Sequence, residues 1–147
     1  GGETTTTTTT WSLQAELLKV QDTIPICPTI LSQHVAMGAL RAGRAWVDTK
    51  LGAVVENQQM IRAALVGALG EENVKGGQGA IYLFAKLPVA DDVAFVRALA
   101  ADHGIVVIPG TSCGAPGHIR VSYANLRPEA CKTAAARLRE GLAVLVG

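Results

Sequence analysis

Apolar positions along this chain recur with two periods, and the switches between them mark its elements. In Trp11 to Val20 (WSLQAELLKV), Leu13, Leu17 and Val20 share one side of a helical projection, with Ser12 placed to cap it. Pro25 and Pro28 in Gln21 to Ile30 (QDTIPICPTI) forbid a continuing helix and predict extended geometry before each proline. Helical spacing returns from Ser32 through SQHVAMGAL, weakened by Gly38 and Gly43. A longer helix is expected over Leu51 to Leu69, where Leu51, Val54, Val55, Ile61, Leu65 and Leu69 build one stripe and Gly70 supplies the stop.

The period then shortens. Ala80 to Leu87 alternates as a strand, with Ile81, Leu83 and Ala85 on one side and Tyr82, Phe84 and Lys86 on the other, and Pro88 closes it. Asp91-Asp92 opens a helix at the end where the macrodipole favours carboxylates. Val93, Val96, Leu99 and Ala100 are its expected apolar face, and Gly104 its left-handed cap. Ile105 to Ile108 is short, apolar and β-branched, which predicts a buried strand ended by Pro109-Gly110. After a loop of small residues, Ile119, Val121 and Tyr123 alternate with Arg120 and Ser122. Pro128 suits the first turn of a last helix carrying Cys131, Ala135, Leu138, Leu142 and Leu145 on one face. From Leu51 the order is helix, strand, helix, strand, strand, helix. The expected fold class is therefore α+β, a short, mostly antiparallel sheet packed by helices.

Composition narrows the function classes. Hydrophobic residues make up 49% and charged ones 17%, which suits a chain with a packed core. The aromatic share of 4% means that core rests on Leu, Val, Ile and Ala. Net charge is +1 with no basic run, so neither a nucleic-acid nor an anionic-membrane partner is expected. No stretch reaches the roughly 18 apolar residues of a membrane span, and no secretory signal opens the chain. Cys27, Cys113 and Cys131 are odd in number and far apart, which argues against a disulfide framework or a zinc site. Reduced thiols fit a soluble protein of the cytosol or an organelle such as a plastid. Thr4 to Thr10 is an unbroken threonine tract, expected to be disordered.

The segment Ile105 to Asn125 (IVVIPGTSCGAPGHIRVSYAN) resembles the closing region of class I/II, fold-type I aminotransferases. There an apolar strand runs into Pro-Gly, a glycine-bearing loop, and a strand reading roughly G-x-[IL]-R-[IV]-[SC]-[FY]. Further blocks follow the family's order. Lys19 to Leu40 looks like the end of the large domain after the cofactor lysine, Gly79 to Pro88 like the first small-domain strand, and Arg137 to Leu145 like the final helix. The resemblance covers about Trp11 to Gly147. The wording QDTIPICPTI is similar to plant and algal members described as aromatic or kynurenine-type aminotransferases.

The resemblance implies a C-terminal part of a pyridoxal-phosphate enzyme that moves an amino group between an amino acid and a 2-oxo acid, the parent being a homodimer. It divides the chain into the tract 1–10, a large-domain remnant at 11–50 and a small domain at 51–147. Arg120 then matches the arginine that grips the substrate carboxylate. The family's cofactor lysine sits in an S-x-S-K setting upstream of the QDTIPICPT block, where this chain has Gly1 to Thr10. Of Lys19, Lys50, Lys75, Lys86 and Lys132, only Lys50 (VDTKLG) has a hydroxyl neighbour, and it lies on the wrong side of that block. No residue here is assigned to catalysis or cofactor binding, and bound pyridoxal phosphate is not expected in this chain alone. Cys113-Gly114 stands where many members carry Phe-Gly, which removes an aromatic contact near the substrate.

Other readings compete. A non-catalytic α+β ligand-binding or regulatory module is the alternative of another class. Cys113 with His103 or His118 is the minimum unit of a thiol hydrolase, though no orienting acid is indicated and a loop-filling Cys113 is simpler. His34, between apolar neighbours, is expected to be packed. Gly76-Gly77-Gln78-Gly79 precedes a strand and lacks a following Lys-Ser/Thr, so it reads as a turn and not a phosphate loop. Arg127, Lys132, Arg137, Arg139 and Glu140 mix signs and read as a solvated helix face.

Overall fold

A computed structural model describes residues 11–24 and 28–147. The threonine tract, Pro25 and Cys27 lie outside the described residues. The chain divides into two compact units, Gly1–Arg44 and Ala45–Gly147.

In the first unit, helix α1 (Leu13–Thr23) begins where Ser12 accepts a hydrogen bond from the Ala15 N–H at 3.5 Å. It runs to Thr23, and Ile24, expected to be extended before Pro25, keeps helical angles (φ −83°, ψ −54°) as its N–H bonds back to Val20 O. None of its residues is buried. Helix α2 (Ile30–Leu69) starts behind Thr29, whose hydroxyl accepts from the Ser32 N–H at 3.2 Å. Gly38 stays helical, but Gly43 adopts φ 68° and ψ −171°, so two helices meet there. Only a residue without Cβ enters that region at little cost. His34 is exposed, which corrects the packed histidine expected from its neighbours: Val35 and Leu31 beside it are exposed too, so no apolar surface encloses it.

The second unit holds the core. The later turns of α2 bury Ile61, Ala64, Leu65 and Leu69 before Gly70 turns away at φ 87°. Strand β1 (Val74–Gly76) follows a 3-10 turn, strand β2 covers Tyr82–Lys86, and helix α3 covers Asp92–His103. Strand β3 is Ile108–Pro109, strand β4 is His118–Ser122, and helix α4 is Pro128–Val146. The sheet order is β1-β2-β4-β3 with every pair antiparallel, and the fold class is α+β. On its covered face, Val74, Leu83, Ala85, Ile119 and Val121 join Leu99 of α3 and Cys131, Ala135, Leu138 and Leu142 of α4. A fully buried leucine contributes about 1.5–3 kcal/mol, so this cluster carries most of the stability.

Caps follow the sequence. Asp91 accepts from the Ala94 N–H at 2.9 Å, and Gly104 closes α3 in the left-handed region at φ 64°. Pro128 starts α4. Several expectations change: Leu51, Val55 and Ile81, expected on apolar faces, are exposed. Phe95, not Val93, is the large buried residue of α3 beside Leu99. β1, three residues long, has too short a period to announce itself. The buried strand at 105–108 shrinks to the pair Ile108–Pro109 at a sheet edge, with Val106 83% exposed and only Val107 buried. An edge strand has one partner, and Pro109 has no N–H to extend the ladder.

Candidate functional site

Arg120 lies in β4 between two neighbours, opposite Phe84 of β2 and Ile108 of β3. Because β4 alternates, Ile119 and Val121 enter the core and Arg120 stands with His118 and Ser122 on the other face. The same alternation in β2 puts Tyr82, Phe84 and Lys86 on that face. The Arg120 guanidinium lies 4.7 Å from the centre of the Tyr82 ring, a cation–π contact. Phe84 is stacked on His118 at 5.0 Å and 13°. Arg120 is half-buried, and among the described residues no carboxylate pairs with it. A cleft of about 330 Å³ opens beside it, walled by Tyr82, Val106, Val107 and Ile108, with Ser122 and Asn125 as its other polar groups. The Ser122 hydroxyl donates to Asn125 Oδ1 at 2.9 Å.

The loop before β4 is anchored from α3. Asp92, 1% exposed, accepts from the Thr111 N–H at 2.8 Å and the Thr111 hydroxyl at 2.7 Å. Burial pushes its carboxyl up, but the Thr111 bonds and the N–H groups of His118 and Gly117 outweigh that and hold it below its ordinary value. The sequence placed Asp92 at a helix start, where a solvated carboxylate is the ordinary outcome; its clamp on residues 19 positions away was not legible. Within the loop, Ala115 N–H donates to Gly110 O at 2.9 Å, so tightly that any side chain on Gly110 would strike the Ala115 carbonyl.

Other candidates stay apart. Cys113 is exposed at the end of a 3-10 turn, and among the described residues no hydrogen bond joins it to His103 or His118. His118 Nδ1 lies 3.0 Å from Pro116 O instead. Cys131 is buried; burial, and then the Glu56 carboxylate, push its thiol up and away from nucleophilic chemistry. Gly76, the last residue of β1, and Gly77, both at φ 96°, lead into the turn between the antiparallel strands β1 and β2. Among the described residues no three His, Cys, Asp or Glu side chains gather as metal ligands, and no helix is long and apolar enough to cross a membrane.

A pyridoxal-phosphate site needs a lysine set among groups that hold the ring and its phosphate. Lys19, Lys50, Lys75, Lys86 and Lys132 are each exposed, and Lys50 rests over the Trp46 ring at 5.6 Å. Around Arg120, what this face offers is one cation framed by rings and aliphatic walls.

Comparison with known proteins agrees with this architecture. The family model described as aminotransferase class I and II matches residues 6–138. The chain is 50% identical to the aromatic aminotransferase ISS1 of Arabidopsis thaliana over 133 residues, covering 89% of this chain and 34% of that protein. It is 32% identical to the aspartate aminotransferase of Geobacillus stearothermophilus over 118 residues, covering 76% of this chain and 30% of the relative. An aminotransferase from Mycobacterium tuberculosis superposes with a TM-score of 0.72 at 24% identity, over 90% of this chain and 35% of that one. The aspartate aminotransferase of Thermotoga maritima does so with a TM-score of 0.66 at 26% identity, over 88% and 32%. The chain spans about a third of the length of these proteins. With a family match over most of its residues and a relative half identical over most of its length, the chain belongs to the class I and II aminotransferases.

Proposed function

We propose that this chain contributes the substrate-carboxylate grip of a transaminase that moves an amino group between an amino acid and a 2-oxo acid. The observation that carries the reading is Arg120, a half-buried guanidinium beside a cleft, held under a ring and paired with no carboxylate among the described residues. A guanidinium offers a planar fork that meets both oxygens of a carboxylate, whereas an ammonium offers a point charge. In the enzyme, pyridoxal phosphate supplies the electron sink when bound. Its lysine and phosphate contacts belong, on this reading, to the larger share of the relatives' length that the chain does not span, and the enzyme is a homodimer. The exposed Leu13, Leu17 and Leu18 of α1 support it, since exposed apolar groupings mark lost or unseen partners.

Two measurements test the reading. In a chain extended to the length of its relatives, Arg120→Lys should keep fold and cofactor yet weaken both amino and oxo acids by at least about tenfold, and Arg120→Ala by more. Spectral titrations beside melting curves separate this from a structural arginine, which would lower stability and leave affinity near normal. The 147-residue chain alone should show neither turnover nor stoichiometric pyridoxylation of one lysine after cofactor and borohydride. A single labelled lysine with turnover would return the whole chemistry to this chain.

A further inference from the structure

Resting on that reading of Arg120, we propose that Tyr82 is its positioning residue, holding the guanidinium flat and its N–H edges free for a carboxylate. β2 and β4 run antiparallel with Tyr82 opposite Ser122 and Phe84 opposite Arg120. Tyr82 is thus diagonal to Arg120 on the same face, within reach of a long side chain. The residue directly opposite, Phe84, is taken by His118, whose ring stacks on it at 5.0 Å. The two aromatics of β2 therefore divide the work, and the ring left for Arg120 is Tyr82, at 4.7 Å.

Geometry gives that contact its consequence. A strand arginine on an open face samples many rotamers, and each carboxylate it binds must first select one. A ring against the flat side of the guanidinium removes rotamers without using any N–H, because the attraction is through the π-face. All donors in the plane stay available to the two oxygens.

The other tyrosine of the unit shows what a structural role looks like. Tyr123 is 4% exposed and its hydroxyl donates to Ala80 O at 2.9 Å. Tyr82 is 41% exposed, and among the described residues its hydroxyl has no hydrogen-bond partner. A ring so placed adds little to the core, and among the described residues its one aromatic or cationic partner is Arg120.

The test uses the 147-residue chain with 3-phenylpropanoate as probe, followed through the Arg120 Nε–Hε signal in proton–nitrogen spectra. In the unsubstituted chain this signal should be shifted upfield by the Tyr82 ring and should move saturably with the probe. Tyr82→Phe should keep the ring shift and bind within about twofold of the unsubstituted chain. Tyr82→Leu should lose the ring shift and weaken the probe by about three- to fivefold, with its melting midpoint unchanged. Full affinity in Tyr82→Leu, or a ring shift that survives in it, overturns the positioning role alone. Arg120→Lys binding as tightly as arginine overturns the carboxylate reading on which the role rests. So does an Arg120 signal that ignores the probe, and the ring-shift comparison then still decides whether Tyr82 holds the guanidinium.

Discussion

Helices α1 and α4 carry the same kind of apolar stripe and meet opposite ends. In α1, Leu13, Leu17 and Val20 share a face and remain more than half exposed. In α4, Cys131, Leu138 and Leu142 share a face and are at most 1% exposed. Both helices begin at a recognisable cap or proline, so local chemistry does not separate them. What separates them is company. Strands β2 and β4, helix α3 and the later turns of α2 form one apolar cluster with α4, while no residue of α1 is buried. Amphipathic spacing defines a face; it does not supply the surface that covers it.

The largest expected effect sharpens that contrast. Leu138→Ala should cost about 2–5 kcal/mol in urea unfolding, through lost burial and a cavity. Leu17→Ala should stay within about 0.5 kcal/mol of zero. Hydrogen exchange should agree, slow at Ile119–Tyr123 and fast through α1. Comparable costs for the two leucines would mean that α1 is covered in solution.

Next comes a glycine on each side. A Cβ on Gly141 of α4 would come within 2.7 Å of Leu99 Cδ2, itself fully buried, so Gly141→Ala should destabilise by about 1–3 kcal/mol despite better helix propensity. Gly38 of α2 has nothing within 4 Å of that position, and Gly38→Ala should raise helix content. The gain there is at most about 1 kcal/mol. Circular dichroism and melting curves read both, and the same sign at the two sites would break the comparison.

Between these falls Asp92. Its carboxyl is held below the ordinary value, so its contribution is present above the unfolded value of about 3.9 and is lost as pH falls through the lowered native one. Melting midpoints should therefore drop as acid is added below about pH 4, and Asp92→Asn should be less stable at neutral pH with a flatter acid limb. A variant with an unchanged acid limb would show that the clamp on Thr111 contributes nothing through charge.

Much of the second unit is legible in its sequence. The alternation at 82–86 and 118–123, the caps at Asp91 and Gly104, and the stripe of α4 each arise from interactions within a few residues, which a short window of sequence records. Arg120 was singled out by another route, as what a wording shared with a family implies. The strand at 105–108 was misjudged because an apolar run reports what the chain would bury, not whether a second partner strand exists beyond the edge. His34 was misjudged for the same reason.

The remaining features depend on register. Amino-acid order put Tyr82 and Arg120 on faces of their own strands, but only the pairing of Tyr82 with Ser122 sets the ring over the guanidinium. A slip of one residue would send Arg120 toward the core and break the contact, so nothing local to either strand encodes it. Asp92 follows the same logic. Its type and place announce a helix start, while its partners at Thr111, Gly117 and His118 are chosen by how the loop folds back over α3. Sequence alone thus determined α3 and α4, the strand alternation, the caps and the family, all short-range or inherited patterns. Tertiary structure decided which apolar faces are covered and which side chains meet across strands, because both are set by surfaces and registers contributed by residues far apart in the chain.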